Sequence, residues 1–460
     1  MTAGRASDPS RPTDDPATLP NPLEIIPFDG PIDATVTLPG SKSVTNRALL
    51  CAALADGDTT LAGMLWSDDT EAMVEGLRTL GVPIDGEPGA AEVVVHGTGG
   101  YLDAGPRAID ARLSGTTARF LATGFALGDG VYRLDAEPPM RRRPMRASFD
   151  VLRQLGASVR PVGGGDGGEL PVEVTVPRTI PDRPKVEMPA DGTSQSVSGA
   201  LLIGPCLDVG LVVDLTTSAV SEPYIALTID VMAAFGASVS RVGSSYVVAP
   251  GGYRSPSGGR YPIPPDASAA SYVFGAAAVC GGRVRVPDLG PSSAQGDVHF
   301  VDILEEMGAE VTRSASHNAL EVSVRGPLRG VDVDLGTMSD TAQTLAVLAV
   351  FADTPTRIRG IDFIRRKETD RIGAVVTELR RLGIAAEEEA DGLIVHPGRP
   401  APGLVRTYDD HRMAMSFALL GLAAPGIQIA DPACVAKTFP SYFTVLESLR
   451  PTASQTGRGL

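Results

Sequence analysis

A short amphipathic helix that ends in glycine recurs along this chain at nearly constant spacing. The copies read VEGLRTLG, FDVLRQLG, IDVMAAFG, VDILEEMG and VTELRRLG, and a sixth, FTVLESLR, ends at Arg450. Their terminal glycines, separated by 75, 80, 72 and 75 residues, are Gly81, Gly156, Gly236, Gly308 and Gly383. Apolar residues three and four positions apart predict a buried stripe on each helix, and glycine suits a left-handed residue after a helix end. The chain is therefore predicted to contain six similar units.

A second, more apolar helix recurs once in each unit. Its copies begin GSKSVTNRALL, LSGTTARFLAT, DGTSQSVSGALL, PDASAASYVFG, MSDTAQTLAVL and DDHRMAMSFALL. Each copy opens with capping residues and continues into Ala, Leu and Val with few charges, so each is predicted to be buried. If equivalent helix starts point the same way, their positive dipole ends together favour an anion site. In a plain α/β repeat the same residues only begin helices, and both interpretations stay open on this pattern alone.

The acidic balance of the chain restricts its partners. A net charge of -15 and a pI of about 4.9 argue against nucleic acid or an anionic membrane surface, so an anionic ligand needs a local group of cations. A length of 460 residues with 43% hydrophobic residues predicts two or more domains. No stretch approaches the roughly 18 consecutive apolar residues of a membrane span.

Cysteine usage and the composition of the chain's beginning are typical of a cytoplasmic protein. The four cysteines lack C-x-x-C spacing, so the sequence indicates neither a disulfide framework nor a zinc or other metal site; they are Cys51, Cys206, Cys280 and Cys434. Residues 1–22 are rich in Pro, Asp, Ser and Thr without an apolar run. This composition predicts a disordered tail rather than a signal peptide.

The stretch PGSKSVTNRALL, residues 39–50, resembles a nucleotide-binding loop at first sight. The Walker pattern requires lysine directly after its second glycine, whereas Ser41 separates Gly40 from Lys42. What remains is a capped helix start with Lys42 near its positive end and Arg47 one turn after Ser43. This arrangement indicates a compact anion site, although an ordinary capped helix would look the same.

The segment RRKETDRIGAVVTELRRLG, residues 365–383, combines acid and base at the predicted start of a glycine-ended helix. Lys367 and Arg371 are predicted to lie one turn apart, with Glu368 three residues before Arg371. A surface ion pair is the plainer interpretation. If an anionic substrate binds these cations, its charge raises the pKa of Glu368 and permits proton donation.

Four other segments carry candidate polar residues, each with a plain alternative. RRRP, residues 141–144, precedes a helix that Pro144 is predicted to start, and a charge run is usually a solvated face. DDHR, residues 409–412, begins a buried helix and lacks the second histidine expected of a metal site. AKTFP and SEPY supply Lys437 and Ser221, and a helix cap is the default for the serine.

Taken together, these segments resemble the EPSP synthases, the 3-phosphoshikimate 1-carboxyvinyltransferases. The motifs occur in the family's order over residues 24–449, and they are LPGSKSVTNRALL, SGTTARF, RRRP, TSQ, SEPY, QGD, KETDR, DDHRMAM and AKTFP. The resemblance implies an α/β fold of two similar domains, each with three βαβαββ-type repeats about a pseudo-threefold axis, an inside-out α/β barrel. It also implies a lower domain of residues 23–38 and 263–450, an upper domain of residues 39–262, and a flexible tail at 451–460.

The resemblance implies transfer of the enolpyruvyl group of phosphoenolpyruvate to the 5-hydroxyl of shikimate 3-phosphate, without a cofactor or metal, in a cytoplasmic monomer. The residues implied for shikimate 3-phosphate are Lys42, Ser43, Arg47, Thr193, Ser194, Gln195, Ser221, Asp340 and Lys367. Those implied for phosphoenolpyruvate are Lys42, Gly115, Arg143, Gln195, Arg371, Arg412 and Lys437. Asp340 is implied as the base and Glu368 as the acid, with Lys42 at both substrates and His411 either assisting proton transfer or serving structure.

Two positions depart from the family's usual pattern, in which many members have asparagine. They are Leu113 and Phe363, and each substitution is expected to reshape a substrate contact without removing a charge. Gly115 is the family's residue at the phosphoenolpyruvate site, and the resemblance therefore implies inhibition by the herbicide glyphosate.

Two alternatives belong to other functions. The related family that transfers enolpyruvate to UDP-N-acetylglucosamine shares the fold, but its members usually carry a reactive cysteine in a loop of the first domain, and this chain has none from 52 to 205. A binding or scaffold protein without activity could keep the fold and the helix caps. It would have no reason to retain Asp340 and Glu368 together with the cations.

Overall fold

The chain divides into two compact units in a computed structural model that describes residues 15–164, 166–177, 181 and 184–451. Unit I comprises Pro39–Asp266 together with Ala294–Gly296, and unit II comprises the remaining described residues. The chain thus leaves unit II after Leu38 and returns to it at Ala267. The assignment of these units as the two predicted domains stays a prediction.

Apart from the four-residue α4, the α-helices alternate between a buried and a more amphipathic type. In unit I they are α1 (Lys42–Ala53), α2 (Asp68–Thr79), α3 (Gly115–Gly124), α4 (Pro138–Arg141), α5 (Arg146–Gln154), α6 (Ser194–Ile203) and α7 (Glu222–Ala234). In unit II they are α8 (Ala267–Cys280), α9 (Phe300–Met307), α10 (Ala342–Leu348), α11 (Arg371–Arg381), α12 (His411–Gly421) and α13 (Tyr442–Ser448). The predicted repeat of buried and glycine-ended helices is confirmed, because all five terminal glycines have φ between 80° and 111°.

The strands are short and fall at equivalent places in each repeat. The first ten are β1 (Leu23–Glu24), β2 (Ile32–Thr35), β3 (Ala55–Asp56), β4 (Asp58–Ala62), β5 (Ile84–Asp85), β6 (Glu92–His96), β7 (Arg107–Asp110), β8 (Gly130–Asp135), β9 (Ser158–Pro161) and β10 (Val172–Val176). The next six are β11 (Lys185–Met188), β12 (Leu211–Leu215), β13 (Val239–Val242), β14 (Ser245–Val248), β15 (Tyr253–Arg254) and β16 (Arg260–Pro262). The last nine are β17 (Gly282–Pro287), β18 (Glu310–Ser314), β19 (Ala319–Val324), β20 (Asp332–Asp334), β21 (Thr356–Arg359), β22 (Ala386–Glu388), β23 (Leu393–Val395), β24 (Gly403–Val405) and β25 (Ile427–Ile429).

One sheet pattern is repeated in both units. Unit I has the sheets β16-β4-β6-β5, β7-β8-β10-β9 and β11-β12-β14-β13, and unit II has β2-β17-β19-β18 and β20-β21-β23-β22. In each, the first pair is parallel and the other pairs are antiparallel. A parallel pair requires a crossover, which the buried helix provides for β7-β8, β11-β12 and β20-β21. In the other two sheets the first strand comes from a distant part of the chain, and in each sheet the amphipathic helix leads to the antiparallel pair. The predicted βαβαββ-type repeat and its α/β class are therefore confirmed.

The sixth repeat is completed by the beginning of the chain. Its strands β24 and β25 are parallel, and β25 pairs antiparallel with β1, so the sheet β24-β25-β1 takes its last strand from Leu23–Glu24. In the same way, β2 supplies the first strand of the β17 sheet. The residues before Pro39 therefore supply one strand to each of two sheets of unit II, the sheet of β17 and the sheet of β25.

The buried helices form the core of each unit. In unit I α1, α3 and α6 contact one another, and in unit II α8, α10 and α12 do the same. One hydroxyl from each helix of the second set lies in the core, with Thr344 Oγ1 3.3 Å from both Ser271 Oγ and Ser416 Oγ. These contacts satisfy polar groups that burial would otherwise leave unpaired. Because the buried helices form the core and the sheets cover them, the polar residues of these helices are found mainly at their starts. No helix among the described residues is long and apolar enough to cross a membrane.

Part of the predicted N-terminal tail has defined structure. Residues 1–14 and 452–460 lie outside the described residues, so the tail predictions for them stay predictions. Residues 15–22, by contrast, include a 3-10 turn at Pro16–Thr18 and an Asn21 side chain that donates to Asp431 Oδ1 at 2.6 Å and accepts from Asp431 N at 3.0 Å. Composition gave no sign of this contact, because its partner is 410 residues away.

Candidate functional site

A buried guanidinium holds three carboxylates together in unit II. Arg371, the first residue of α11, donates Nε to Asp410 Oδ2 at 2.7 Å, Nη1 to Asp340 Oδ1 at 3.2 Å and Nη2 to Glu368 Oε2 at 2.9 Å. Its side chain is 2% exposed. Burial lowers the pKa of Arg371, but the charges of Asp410, Glu368 and Asp340 outweigh it and hold the pKa above the usual value. Two residues with predicted proton-transfer roles thus share one cation.

A second arginine, Arg412, also binds Asp340. Arg412 Nη2 donates to Asp340 Oδ2 at 2.6 Å, and its Nη1 donates to the Asp340 carbonyl at 3.0 Å and to the Tyr272 hydroxyl at 3.2 Å. Burial raises the pKa of Tyr272 to about 12, although Arg412 opposes this shift. The start of α12 is thereby tied to the turn before α10 and to α8. The cluster thus joins the starts of α11 and α12, the turn before α10 and Tyr272 within α8.

Asp410 supports both arginines. It is fully buried, its Oδ1 accepts the Arg412 backbone N–H at 2.9 Å as the N-cap of α12, and both its oxygens accept from Arg371. His411 is also buried, with Nδ1 3.7 Å from Asp410 Oδ1. This carboxylate therefore orients the Arg371 guanidinium and fixes the backbone at the start of α12, from which Arg412 extends.

Two further predicted cations lie in the same unit. Lys437 is buried at the end of the 3-10 segment Pro432–Lys437, which packs on α12. Lys367 follows the 3-10 segment Asp362–Arg366, and its ammonium lies 6.0 Å from the ring centroid of Phe363. The departure from asparagine at position 363 therefore places an aromatic face beside a predicted substrate cation.

Two predicted helix starts are wrong by a few residues. Helix α11 begins at Arg371, because the Asp370 side chain caps it by accepting from Gly373 N at 3.0 Å. Lys367 and Glu368 therefore lie before the helix, although the ion pair of Glu368 with Arg371 forms. Helix α5 begins at Arg146 rather than at Pro144.

In unit I, the start of α1 is held by acidic side chains. Ser41 is its N-cap, Lys42 N donates to Asp266 Oδ2 at 3.0 Å, and Lys42 Nζ lies 3.2 Å from Asp69 Oδ2. Asp69 is 3% exposed. A Cβ at Gly40 would lie 2.1 Å from the Gly63 carbonyl oxygen, so only glycine permits this approach. The lysine is thus paired in unit I and presented from a fixed helix end.

Arg47 is built into the packing of unit I. It donates Nε to Thr228 Oγ1 at 2.7 Å, Nη1 to the Ser43 carbonyl at 2.9 Å, and Nη2 to Ser198 Oγ at 3.3 Å and the Tyr224 carbonyl at 3.1 Å. Burial lowers its pKa to about 10, so it stays protonated near neutral pH. Its bonds join α1 to α6 and α7. Arg47 therefore aligns the helices that carry the predicted shikimate 3-phosphate residues.

A second buried arginine, Arg119 of α3, connects three predicted phosphoenolpyruvate contacts. Its Nη1 donates to the Gly115 carbonyl and to Gln195 Oε1, both at 3.0 Å, and its Nη2 donates to the Pro144 carbonyl at 2.7 Å beside Arg143. A Cβ at Gly115 would lie 2.8 Å from Arg119 Nη1 and 2.9 Å from both terminal nitrogens of Arg143. The glycine thus makes room for two guanidiniums at the start of α3.

The remaining predicted residues of unit I flank α6 and α7. Thr193 is the N-cap of α6 and accepts from Gln195 N at 3.2 Å, and Ser194 is the first residue of that helix. Ser221 occupies the N-cap position of α7 with φ 52°, but its side chain does not cap the helix. The default interpretation of Ser221 as a helix cap is therefore wrong, and its hydroxyl is not committed to α7.

Two supporting residues, Asp69 and Arg119, were missed in the sequence, and Asp410 was noted there only as part of the helix start DDHR. Asp69, Arg119 and Asp410 each bind a predicted site residue, and each is at most 3% exposed. A charged residue inside a predicted buried helix, such as Arg119 in SGTTARF, was the available signal, since buried charges need partners. Among the described residues, no group of three or more His, Cys, Asp or Glu side chains is arranged to hold a metal ion.

We expect the four thiols to react slowly in the native protein. Burial raises the pKa of Cys206, Cys280 and Cys434 to about 12, and it raises that of Cys51 above its usual value. A shift from about 8.5 to about 12 lowers the thiolate fraction at pH 8 from roughly a quarter to roughly one in ten thousand. Alkylation by iodoacetamide at pH 8, followed by mass spectrometry, is expected to be at least about 100-fold slower than in urea-unfolded protein. A rapidly labelled native thiol would contradict this prediction.

The chain matches one protein family over most of its length. The sequence model described as "EPSP synthase (3-phosphoshikimate 1-carboxyvinyltransferase)" matches residues 28–446. A 3-phosphoshikimate 1-carboxyvinyltransferase of Nostoc punctiforme is 45% identical over 422 residues, which cover 92% of this chain and 97% of the relative.

Solved structures show the same architecture. An EPSP synthase from Acinetobacter baumannii has a TM-score of 0.78 at 27% identity, covering 94% of this chain and 99% of that one. The enolpyruvyl transferase NikO from Streptomyces tendae has a TM-score of 0.72 at 21% identity, covering 93% and 97%, and this likeness concerns the fold alone.

Proposed function

Because this chain belongs to the EPSP synthase family, we propose that the site residues described above in unit I and in unit II carry out the family's reaction. In that reaction the enolpyruvyl group of phosphoenolpyruvate passes to the 5-hydroxyl of shikimate 3-phosphate, and phosphate is released. The observation that carries the proposal is the pairing of two carboxylates, Asp340 and Glu368, on the single buried cation Arg371. An addition followed by an elimination needs one base, one acid and positive charge near the leaving phosphate.

The carboxylates of unit II have the proton-transfer roles. In the first step the 5-hydroxyl oxygen of shikimate 3-phosphate bonds to C2 of phosphoenolpyruvate, and Asp340 accepts the hydroxyl proton. Glu368 donates a proton to C3. In the second step the Glu368 carboxylate takes a proton back from C3, the C2–C3 double bond forms again, and the bond from C2 to the phosphate oxygen breaks, so that phosphate leaves with the electron pair. The shared contact of Asp340 and Glu368 with Arg371 orients both side chains.

The arginines and lysines bind the two anions. Arg371, Arg412 and Lys437 of unit II and Arg143 of unit I bind the phosphate and carboxylate of phosphoenolpyruvate, for which guanidinium forks are well suited. Gly115 and Gln195 complete this set. Arg371 and Arg412 both donate to Asp340 in the described structure. A bound substrate anion therefore either replaces Asp340 as the acceptor or accepts from the remaining N–H groups of these arginines.

Shikimate 3-phosphate is held mainly by hydroxyl groups and helix starts of unit I. The proposed contacts are Lys42, Ser43, Arg47, Thr193, Ser194, Gln195 and Ser221, together with Lys367 and Asp340 of unit II. Support comes from Arg47, whose four donated bonds align α1, α6 and α7. Lys42 contacts both substrates, and His411 holds the start of α12 or assists proton transfer.

Three finer properties belong to the same proposal. Glyphosate occupies the phosphoenolpyruvate site at Gly115, the protein acts as a monomer, and it works in the cytoplasm.

Phosphate release from phosphoenolpyruvate tests the reaction directly. We expect release when shikimate 3-phosphate is the acceptor and none when UDP-N-acetylglucosamine replaces it. Release with the nucleotide sugar alone would assign the chain to the related activity instead. A folded protein that releases phosphate with neither acceptor would leave an anion-binding scaffold and refute the proposal.

A further inference from the structure

We propose that Glu378 is a positioning residue for Arg412, acting through the turn Arg406–Asp409 that precedes α12. Glu378 lies in α11, two turns after Arg371, and its carboxylate is fully buried. It has no part in the chemistry proposed above. The inference rests on the proposed role of Arg412 in binding phosphoenolpyruvate.

The Glu378 carboxylate binds the turn at two points. Its Oε2 accepts the Arg406 backbone N–H at 3.0 Å, and its Oε1 accepts the Tyr408 hydroxyl at 2.6 Å. Arg381 Nη1 supplies a third donor at 3.0 Å from Oε1. Burial, and then the contact with Glu378, raises the pKa of Tyr408 to about 12, so the hydroxyl remains a donor near neutral pH. A buried carboxylate with three donors is a specific acceptor that an amide cannot replace fully.

The turn that Glu378 binds has an unfavourable backbone. Tyr408 and Asp409 both have φ 56°, and two consecutive left-handed residues without glycine are costly. Such a conformation persists only where surrounding contacts determine it. Tyr408 is 38% exposed, so apolar burial alone does not fix it. The bond to Glu378 is the polar contact that holds this residue.

The turn leads directly to the anion-binding arginines. Asp410 N donates to the Thr407 carbonyl at 2.9 Å, and Asp410 then caps α12 through the Arg412 N–H. Helix α11 therefore clamps this loop twice, by Arg371 on Asp410 and by Glu378 on Arg406 and Tyr408. A shift of the turn would rotate the start of α12 and move the Arg412 guanidinium away from Asp340. Small displacements of a substrate-binding group are costly for binding and turnover.

Two variants test the clamp, and one serves as a control. Tyr408→Phe removes one donor at a half-exposed site, whereas Glu378→Gln replaces the carboxylate in place. Arg381→Gln removes the partner of Glu378 that does not belong to the turn and leaves both turn contacts intact. KM for each substrate, kcat and the thermal unfolding temperature are measured for the full chain. Amide hydrogen exchange across residues 404–415 is followed by mass spectrometry in parallel.

We expect Tyr408→Phe to raise KM for phosphoenolpyruvate about three- to tenfold and Glu378→Gln to raise it further, with KM for shikimate 3-phosphate changed less than about twofold. Exchange across 404–415 should become faster in both variants. Arg381→Gln should lower the unfolding temperature without changing KM for phosphoenolpyruvate. The different effects on KM and on the unfolding temperature distinguish a positioning role from a stabilising one, because a loss of stability alone reduces the active fraction and leaves KM unchanged.

Unchanged KM and unchanged exchange in Tyr408→Phe would overturn the inference, even if Glu378→Gln failed to fold. An equal rise in KM for both substrates would also overturn it, since the effect would not be directed at Arg412. If the unsubstituted protein shows no turnover, the proposed function fails. The exchange measurement then still decides whether Glu378 and Tyr408 fix the turn.

Discussion

Replacing Glu368 with glutamine is expected to abolish most turnover while leaving substrate binding intact. The amide keeps the shape of the side chain and an oxygen that can accept from Arg371, but it cannot donate a proton to carbon. Loss of a general acid typically costs about 10²- to 10⁴-fold in rate, so we expect kcat to fall within that range. Steady-state phosphate release with both substrates varied gives kcat and the two KM values.

The direction of change in KM distinguishes an acid from a structural anchor. Glu368 is one of three carboxylates on Arg371, and removing its charge leaves the guanidinium more attractive to an anion. KM for phosphoenolpyruvate should therefore stay the same or fall. An anchor for Arg371 would show the opposite, a rise in KM with kcat less affected.

Glu389→Gln is the matched control for this experiment. Glu389 is a unit II carboxylate paired with Arg357, at 2.8 Å and 2.9 Å, and neither residue belongs to the cluster around Arg371. The same change of charge there should leave kcat unchanged. If Glu368→Gln retained kcat within about threefold of the unsubstituted protein, the proposed acid role would be wrong.

The repeat could be predicted from sequence because its signals are local. A capped apolar helix and a glycine-ended amphipathic helix are each specified by about a dozen consecutive residues. Their spacing along the chain can be measured from the sequence alone. Helix ends were less predictable where two capping residues competed. In RRKETDR the Asp370 side chain caps α11 and excludes Lys367 and Glu368 from the helix.

The pairing within the site was beyond a single sequence because its contacts are distant along the chain. Arg371 meets Asp410 39 residues away, and Arg412 meets Asp340 72 residues away. Motifs identified the residue types, but they did not reveal that one guanidinium binds both carboxylates for which proton-transfer roles are proposed. Supporting residues such as Arg119 were harder still, since a buried arginine in a helix becomes interpretable only when its acceptors are known.

Gly115→Ala is expected to free the enzyme from glyphosate inhibition while keeping part of its activity. The added methyl carbon would lie under 3.0 Å from nitrogens of both Arg119 and Arg143, so both guanidiniums must shift. These atoms end flexible side chains, and the fold should therefore tolerate the change. A shift of the Arg143 guanidinium, together with the added methyl group, is expected to narrow the proposed phosphoenolpyruvate site.

The two ligands should respond unequally to a narrower site. Glyphosate has one more chain atom than phosphoenolpyruvate between its carboxylate and its phosphorus, so it needs more room along the same line. A steric change of one methyl group alters binding by about 10- to 200-fold, and we expect the glyphosate concentration for half inhibition to rise by about 100-fold. KM for phosphoenolpyruvate should rise by no more than about tenfold.

Inhibition curves at a fixed ratio of phosphoenolpyruvate to its KM measure this difference. Gly326→Ala is the control, because a Cβ there meets nothing within 4 Å and its position is in unit II. It should match the unsubstituted protein in activity and inhibition. Equal inhibition of Gly115→Ala and the unsubstituted protein would show that glyphosate does not bind beside Gly115. A loss of all activity in Gly115→Ala would instead show that Arg143 cannot move without losing phosphoenolpyruvate, since the methyl group leaves the proposed acid and base in unit II untouched.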